Sequence, residues 1–206
     1  MQGIEPLIYG LGLAGAAVNA ASGVLEAGRK PFDLFGMIVV ALAAALGGGS
    51  LRDMLLDRTV FWIADQAYLI TALVAGVATF LLARRVRLPA QLFLLPDAIG
   101  LSLFTVVGTS VALAHDAPWL VASLMGVVTG VFGGILRDVL CNEAPVVFGG
   151  ELYGSAAWLG ALVLIGLPEL GVGHDVSALS AGAVICTIRL LSIRFKWHLP
   201  IYSARR

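Results

Sequence analysis

The chain has 206 residues, of which 59% are hydrophobic and 13% charged, with a formal net charge of zero. A soluble domain carries about 25% charged residues, and a mean hydropathy of +0.96 makes lipid the solvent for much of this surface. Neutrality implies no nucleic acid or other polyanion as a partner, and Cys141 and Cys186 have neither metal-site nor disulfide-framework spacing.

The first apolar run follows MQGIEP without the basic residues that open a signal peptide, so it reads as a retained helix. About 20 apolar residues cross a bilayer core. Uncharged runs at 6–25, 34–51, 66–83, 98–114, 117–136, 152–168 and 176–188 predict seven spans. The fourth is expected to begin nearer Pro89, with Pro96 kinking it and freeing the carbonyl near Leu92. Trp62, Tyr68, Trp119 and Trp197 fall near span ends, where amphipathic rings favour the interface.

An odd number of spans puts the termini on opposite sides. Arg29, Lys30, Arg84, Arg85, Arg87, Arg194, Lys196, Arg205 and Arg206 share the side of the C-terminus; Arg58, with Arg52 near it, faces the other. Short cytoplasmic loops concentrate Lys and Arg, so the N-terminus is expected outside and the C-terminus in the cytosol. The outer side then carries Glu5, Asp57, Asp65, Asp116, Glu169 and Asp175, an acidic mouth that raises local cation concentration. His115 and His174 read as solvated loop residues.

The chain repeats itself. Gly48, Gly49, Leu51, Arg52, Asp53 and Leu55 recur as Gly133, Gly134, Leu136, Arg137, Asp138 and Leu140, each 85 residues on. Each copy lies toward the end of the middle helix of a three-helix set. Because three is odd, the second set enters from the opposite face, as in many transport proteins. The expected fold is therefore an all-α membrane protein of two inverted three-helix repeats (about 5–87 and 89–170) plus a seventh helix at about 175–196.

Glycine is the poorest ordinary residue inside a helix, so Gly47, Gly48 and Gly49, with Gly133 and Gly134, predict kinks or unwound stretches; close helix packing through small residues is the alternative. Arg52, Asp53, Arg137 and Asp138 facing lipid would cost on the order of 10 kcal/mol together. They must pair, line water or reach the interface. Neutralising Asp138 is expected to leave Arg137 uncompensated and repel cations. Asp97 is a further candidate ligand for a cation, and Ser102, Thr105 and Thr109 follow it; they either line a wet face or bond back to their own helix.

The segments GGGSLRDMLLD (47–57) with FW at 61–62, PDAIGLSLF (96–104), GVFGGILRDVLCNEAP (130–145), ELYGSAAW (151–158) and IRLLSIRFKWHLP (188–200) resemble the trimeric intracellular cation channel family, in its prokaryotic branch. The resemblance covers almost the whole chain. It implies a homotrimer with one pore per subunit, conducting K⁺ or Na⁺, lined by the second and fifth spans at Gly47, Gly48, Gly49, Arg52, Asp53, Asp97, Gly133, Gly134, Arg137 and Asp138. It implies no cofactor, membrane lipid as the other contact, and a prokaryotic inner (cytoplasmic) membrane location. Asn19 departs from the larger apolar residue expected there. The rival reading is a secondary transporter of a small zwitterion such as glycine, since paired Arg and Asp can hold a carboxylate and an ammonium. No nucleophile–base set or metal cluster points to an enzyme.

Overall fold

The computed structural model describes residues 6–85, 91–149 and 151–200. Arg87, Pro89, Glu5, Arg205 and Arg206 lie outside the described residues. Eight α-helices follow in order: α1 (Pro6–Ala27), α2 (Leu34–Leu55), the single turn α3 (Phe61–Ala64), α4 (Ala67–Ala83), α5 (Leu94–Leu113), α6 (Trp119–Leu140), α7 (Gly154–Glu169) and α8 (His174–Phe195). A 3₁₀ turn at Val146–Phe148 precedes α7, and Glu151 pairs with His198 in an isolated antiparallel bridge.

Helices α1, α2, α5, α6 and α8 are long and apolar enough to cross a membrane. Helices α4 and α7 are apolar but have 17 and 16 residues, about 25 Å at 1.5 Å per residue, short of a core about 30 Å thick. Phe35, Val74 and Leu82 are among many large apolar side chains turned outward, where lipid can solvate them. Helices α1, α2 and α4 pack on one another, as do α5, α6 and α7. The two groups meet through α1 against α5 and α2 against α6, and α8 lies on α5 and α7.

The glycine runs do not unwind. Helix α2 is unbroken through Gly47, Gly48 and Gly49, and α6 through Gly133 and Gly134. Packing decides this: a Cβ on Gly48 would run into the Thr129 carbonyl oxygen, and one on Gly133 into the Ala44 carbonyl oxygen. Thr129 and Ala44 are themselves 85 residues apart, so the contact is reciprocal, as a two-fold relation requires. The missing side chains bring backbone against backbone.

Two further expectations are corrected and one open alternative is resolved. Pro96 lies in the first turn of α5, where its absent N–H is not needed; the Leu92 carbonyl accepts from the Leu95 N–H at 3.3 Å and is not freed. Tyr68 is no interfacial anchor, being 5% exposed within the first turn of α4. Ser102 and Thr109 donate back to the Ile99 and Thr105 carbonyls at 2.7 and 2.9 Å. Thr105 and Thr109 fill the space left by Gly130 and Gly126 on α6. Asn19 likewise occupies the room that Gly100 leaves on α5.

Candidate functional site: two buried arginine–aspartate constellations

The two motif copies end their helices in the same way. After Leu56 the chain turns through Asp57 at φ 52°, and after Cys141 through Asn142 at φ 54°, a left-handed conformation that Asp and Asn tolerate. Arg58 N–H reaches the Asp53 carbonyl at 3.0 Å, and Glu143 N–H the Asp138 carbonyl at 2.9 Å. These bonds close a Schellman motif at each helix end. The Asp53 side chain then reaches forward: Oδ2 accepts from the Phe61 N–H at 2.8 Å, satisfying the first turn of α3. Asp138 Oδ2 accepts from the Val146 N–H at 3.0 Å. Each aspartate thus clasps the start of the next helical turn with one oxygen.

The other oxygen holds the preceding arginine. Arg52 Nε donates to Asp53 Oδ1 at 2.8 Å and Arg137 Nε to Asp138 Oδ1 at 2.8 Å. All four residues are at most 3% exposed. Burying such a group unpaired costs several kcal/mol, so each pair is formed by necessity.

Beyond that shared core the copies diverge. Arg137 Nη1 also donates to Asp97, from α5, and to Ser22 Oγ, from α1, the latter at 2.7 Å. Its guanidinium lies over the Phe93 ring, 4.9 Å from the centroid. Tyr153 O–H donates to Asp97 Oδ1 at 3.1 Å, while Asp97 Oδ2 is buried without a partner among the described residues. Two carboxylates therefore share one guanidinium, and removing Asp138 does not leave Arg137 uncompensated. Around Arg52 the residues displaced by 85 are Gly12 for Asp97, Val107 for Ser22, Ile8 for Phe93 and Tyr68 for Tyr153. All four line a small cavity beside Arg52. The second cation there is Arg58, whose Nε is 3.6 Å from Asp53 Oδ1; its counterpart in the other copy is the acidic Glu143.

Of the residues expected in the site, Arg137, Asp138 and Asp97 meet in one constellation, and Arg52 and Asp53 form the other. Gly134 faces Tyr153 Oη and Asp97 Oδ1, with a Cβ there falling 3.0 and 3.5 Å from them. Gly49 faces the Phe61 ring, and Gly47 faces the end of Leu136. The sequence reading missed Tyr153, Ser22, Gly12 and Arg58 as members. Tyr68 and Tyr153 were findable, since they are one more identity at the 85-residue offset; Ser22 and Gly12 carry no such signal. Among the described residues no group of three or more His, Cys, Asp or Glu is placed to hold a metal.

A charged rim lies beyond the Arg137 copy. Glu26, buried one helical turn past Ser22 on α1, binds Arg29 at 2.7 Å, and Lys30 binds Glu143 at 2.7 Å. The Lys30 ammonium, through its hydrogen bond, holds the Glu143 carboxyl below its usual range. The hydrogen bond to Glu26 raises Arg29 above its already high value.

The family described as glycine transporter matches this chain twice, at residues 9–84 and 94–169. The UPF0126 inner membrane protein YadS of Escherichia coli (strain K12) is 40% identical over 200 residues, covering 96% of this chain and 97% of that protein. A UPF0126 membrane protein of Vibrio cholerae is 42% identical over 200 residues, covering 96% of this chain and 83% of its own length. Among solved structures, the trimeric intracellular cation channel orthologue from Rhodobacter sphaeroides superposes with a TM-score of 0.89 at 34% identity, covering 94% of this chain and all of that one (100%). A prokaryotic channel of the same kind, solved in 0.5 M KCl, gives 0.85 at 27% identity, covering 93% and 98%. A Caenorhabditis elegans member at 15% identity and a TM-score of 0.63 shares the fold.

Proposed function

This chain belongs to the trimeric intracellular cation channel family, and on that premise we propose that it is a channel for monovalent cations, K⁺ or Na⁺, assembled as a homotrimer with one pore in each subunit. The observation that carries the reading is the Arg137 constellation. Buried carboxylates outnumber the guanidinium there, and Asp97 Oδ2 lacks a partner among the described residues. A buried, unsatisfied carboxylate oxygen is costly in a membrane. A partly dehydrated monovalent cation is what such an oxygen can hold weakly and release, as conduction requires. Helices α2 and α6 line the proposed path with Arg52, Asp53, Arg137 and Asp138, joined by Asp97 from α5. Gly47, Gly48 and Gly133 contribute by bringing the two helices close, Gly49 by admitting the Phe61 ring and Gly134 by admitting Tyr153 and Asp97.

The seven spans in this reading are α1, α2, α4, α5, α6, α7 and α8, with short α4 and α7 tolerated by local thinning of the bilayer. Inverted repeats over about 5–87 and 89–170 are supported by the double family match, whose two halves are also 85 residues apart. The reciprocal α2–α6 contact supports them too. Arg29, Lys30, Arg84, Arg85, Arg194 and Lys196 against Arg58 favour an outer N-terminus and a cytosolic C-terminus. An inner-membrane relative supports that membrane.

The second reading, a carrier of glycine, rests on the description of the matching family. Unitary current and radiolabelled glycine uptake measured on the same reconstituted samples separate the two. The channel predicts resolvable cation currents without saturable glycine uptake. Saturable uptake without channel events makes the chain a carrier.

A further inference from the structure

The carboxylate that Asp97 brings to the second constellation is missing from the first. Gly12 and Asp97 are 85 residues apart, as are Tyr68 and Tyr153. In the second copy the Tyr153 hydroxyl and the Asp97 carboxylate are 3.1 Å apart. In the first, a Cβ on Gly12 would fall 2.9 Å from Tyr68 Oη. Tyr68 thus takes up part of the room beside Gly12 that the Asp97 side chain fills in the other copy, and the rest stays open. It is a cavity of about 20 Å³, lined by Arg52, Arg58, Tyr68 and Phe61 together with Gly12 and apolar neighbours. That is room for one particle of about the size of water and too little for an amino acid.

The charges around it do not cancel. Arg52 and Arg58 share Asp53, and no other carboxylate of the described residues is within ion-pair distance of either. Asp53 does not line the cavity, and Arg58 Nη1 is buried with no partner among the described residues. Two guanidinium groups and a phenol O–H, all donors, thus surround a one-particle space carrying an excess positive charge in a low-dielectric setting. A water there would satisfy donors but leave the charge. We propose that this cavity is a binding site for one small monovalent anion, a halide such as chloride, which takes the place of the Asp97 carboxylate in the first repeat. The proposal holds for a channel or a carrier.

Crystals of the purified full chain grown with sodium bromide, measured at the bromine absorption edge, test it directly. An anomalous peak between Arg52, Arg58 and Tyr68 is expected in the wild type, and its loss in Arg58→Gln. Melting in detergent at fixed ionic strength gives a second readout. The wild type is expected to melt about 3 °C higher in chloride than in gluconate, the shift that one ligand at several times its dissociation constant produces in a chain of this size. Gly12→Asp supplies the carboxylate internally and should abolish that difference; if it does not fold, Arg58→Gln should abolish it alone. Wild-type crystals with bromide elsewhere but only water in this cavity overturn the proposal, as does an equal chloride effect in Arg58→Gln.

Discussion

The Arg52 and Arg137 constellations share one backbone design and carry opposite charge. Both arginines are held by the following aspartate, both aspartates clasp the amide eight residues on, and both helices end in the same left-handed turn. Around Arg137 the chain then adds Asp97, Ser22 and Tyr153, with Glu26 one turn away. Around Arg52 the residues 85 apart from these are Gly12, Val107, Tyr68 and Val111, and Glu143 is replaced by Arg58. The hydrogen bonds that close the backbone persisted in both copies, whereas the groups that set local charge diverged. Backbone groups buried without partners cost the same wherever they lie; local charge is free to change with what each end must attract.

The comparison breaks most sharply at the aspartates. Asp53→Asn leaves Arg52 and Arg58 with no counter-charge within reach and is expected to cost about 3–5 kcal/mol, the range for half of a broken buried pair. Asp138→Asn leaves Asp97 on Arg137 and should cost about 1–3 kcal/mol. Thermal unfolding in one detergent measures both; equal losses would mean that Asp97 does not compensate Arg137. Where the copies are alike the effects should match. Gly48→Ala and Gly133→Ala each force backbone carbonyls apart, at about 3 kcal/mol, the upper end for overpacking. Gly47→Ala meets only the flexible end of Leu136 and should cost clearly less. Unequal losses at Gly48 and Gly133 would end the two-fold description of the α2–α6 contact.

The tyrosines sharpen the point at smaller scale. Tyr153→Phe removes a donor to a buried carboxylate and should cost about 1.5–3 kcal/mol, whereas Tyr68→Phe, with glycine in place of that carboxylate, should cost less than about 1 kcal/mol. The same melting series reads both, and a larger loss at Tyr68 would reverse the assignment of which copy is acidic. The smallest effect belongs to the rim. Because Lys30 lowers the folded-state pKa of Glu143, their pairing contributes stability above the unfolded carboxyl value of 4.5 and loses it as pH falls through the folded value. Lys30→Ala should return the Glu143 titration toward 4.5, followed by NMR of a carboxyl-labelled sample. An unchanged titration would show that the Lys30 contact does not persist in solution.

Much of this was readable from residues. The seven apolar runs fall on α1, α2, α4, α5, α6 and α7 to within a few residues, and on α8, which extends furthest beyond its run, past Arg189, a buried residue bound to Glu151 and the Leu152 carbonyl. The Gly–Gly–x–Leu–Arg–Asp repeat pointed to both arginine–aspartate pairs. The glycines were legible as special but not as to why, because propensity is a local quantity and the carbonyl that needs the space comes from another helix. Asp97 was marked by its charge inside an apolar stretch, but its partner, 40 residues away, was not. Pro96 misled for a similar reason: its effect depends on where the helix begins, and α5 begins at Leu94 rather than near Pro89, which turns an expected kink into a harmless first-turn proline.

The paired close approaches of α2 and α6 have a mechanical consequence. A single glycine contact is a pivot, about which two rods can still rotate. Two contacts, Gly48 on Thr129 and Gly133 on Ala44, fasten the rods at separate points and remove that freedom, as well as the sliding that would drive a carbonyl into a neighbouring Cβ. The pair is then the chassis of the fold, and any opening or closing must be carried by the helices around it. Spin labels on α2 and α6 should keep one fixed separation in every functional state, while labels on α4 or α8 change theirs relative to that pair.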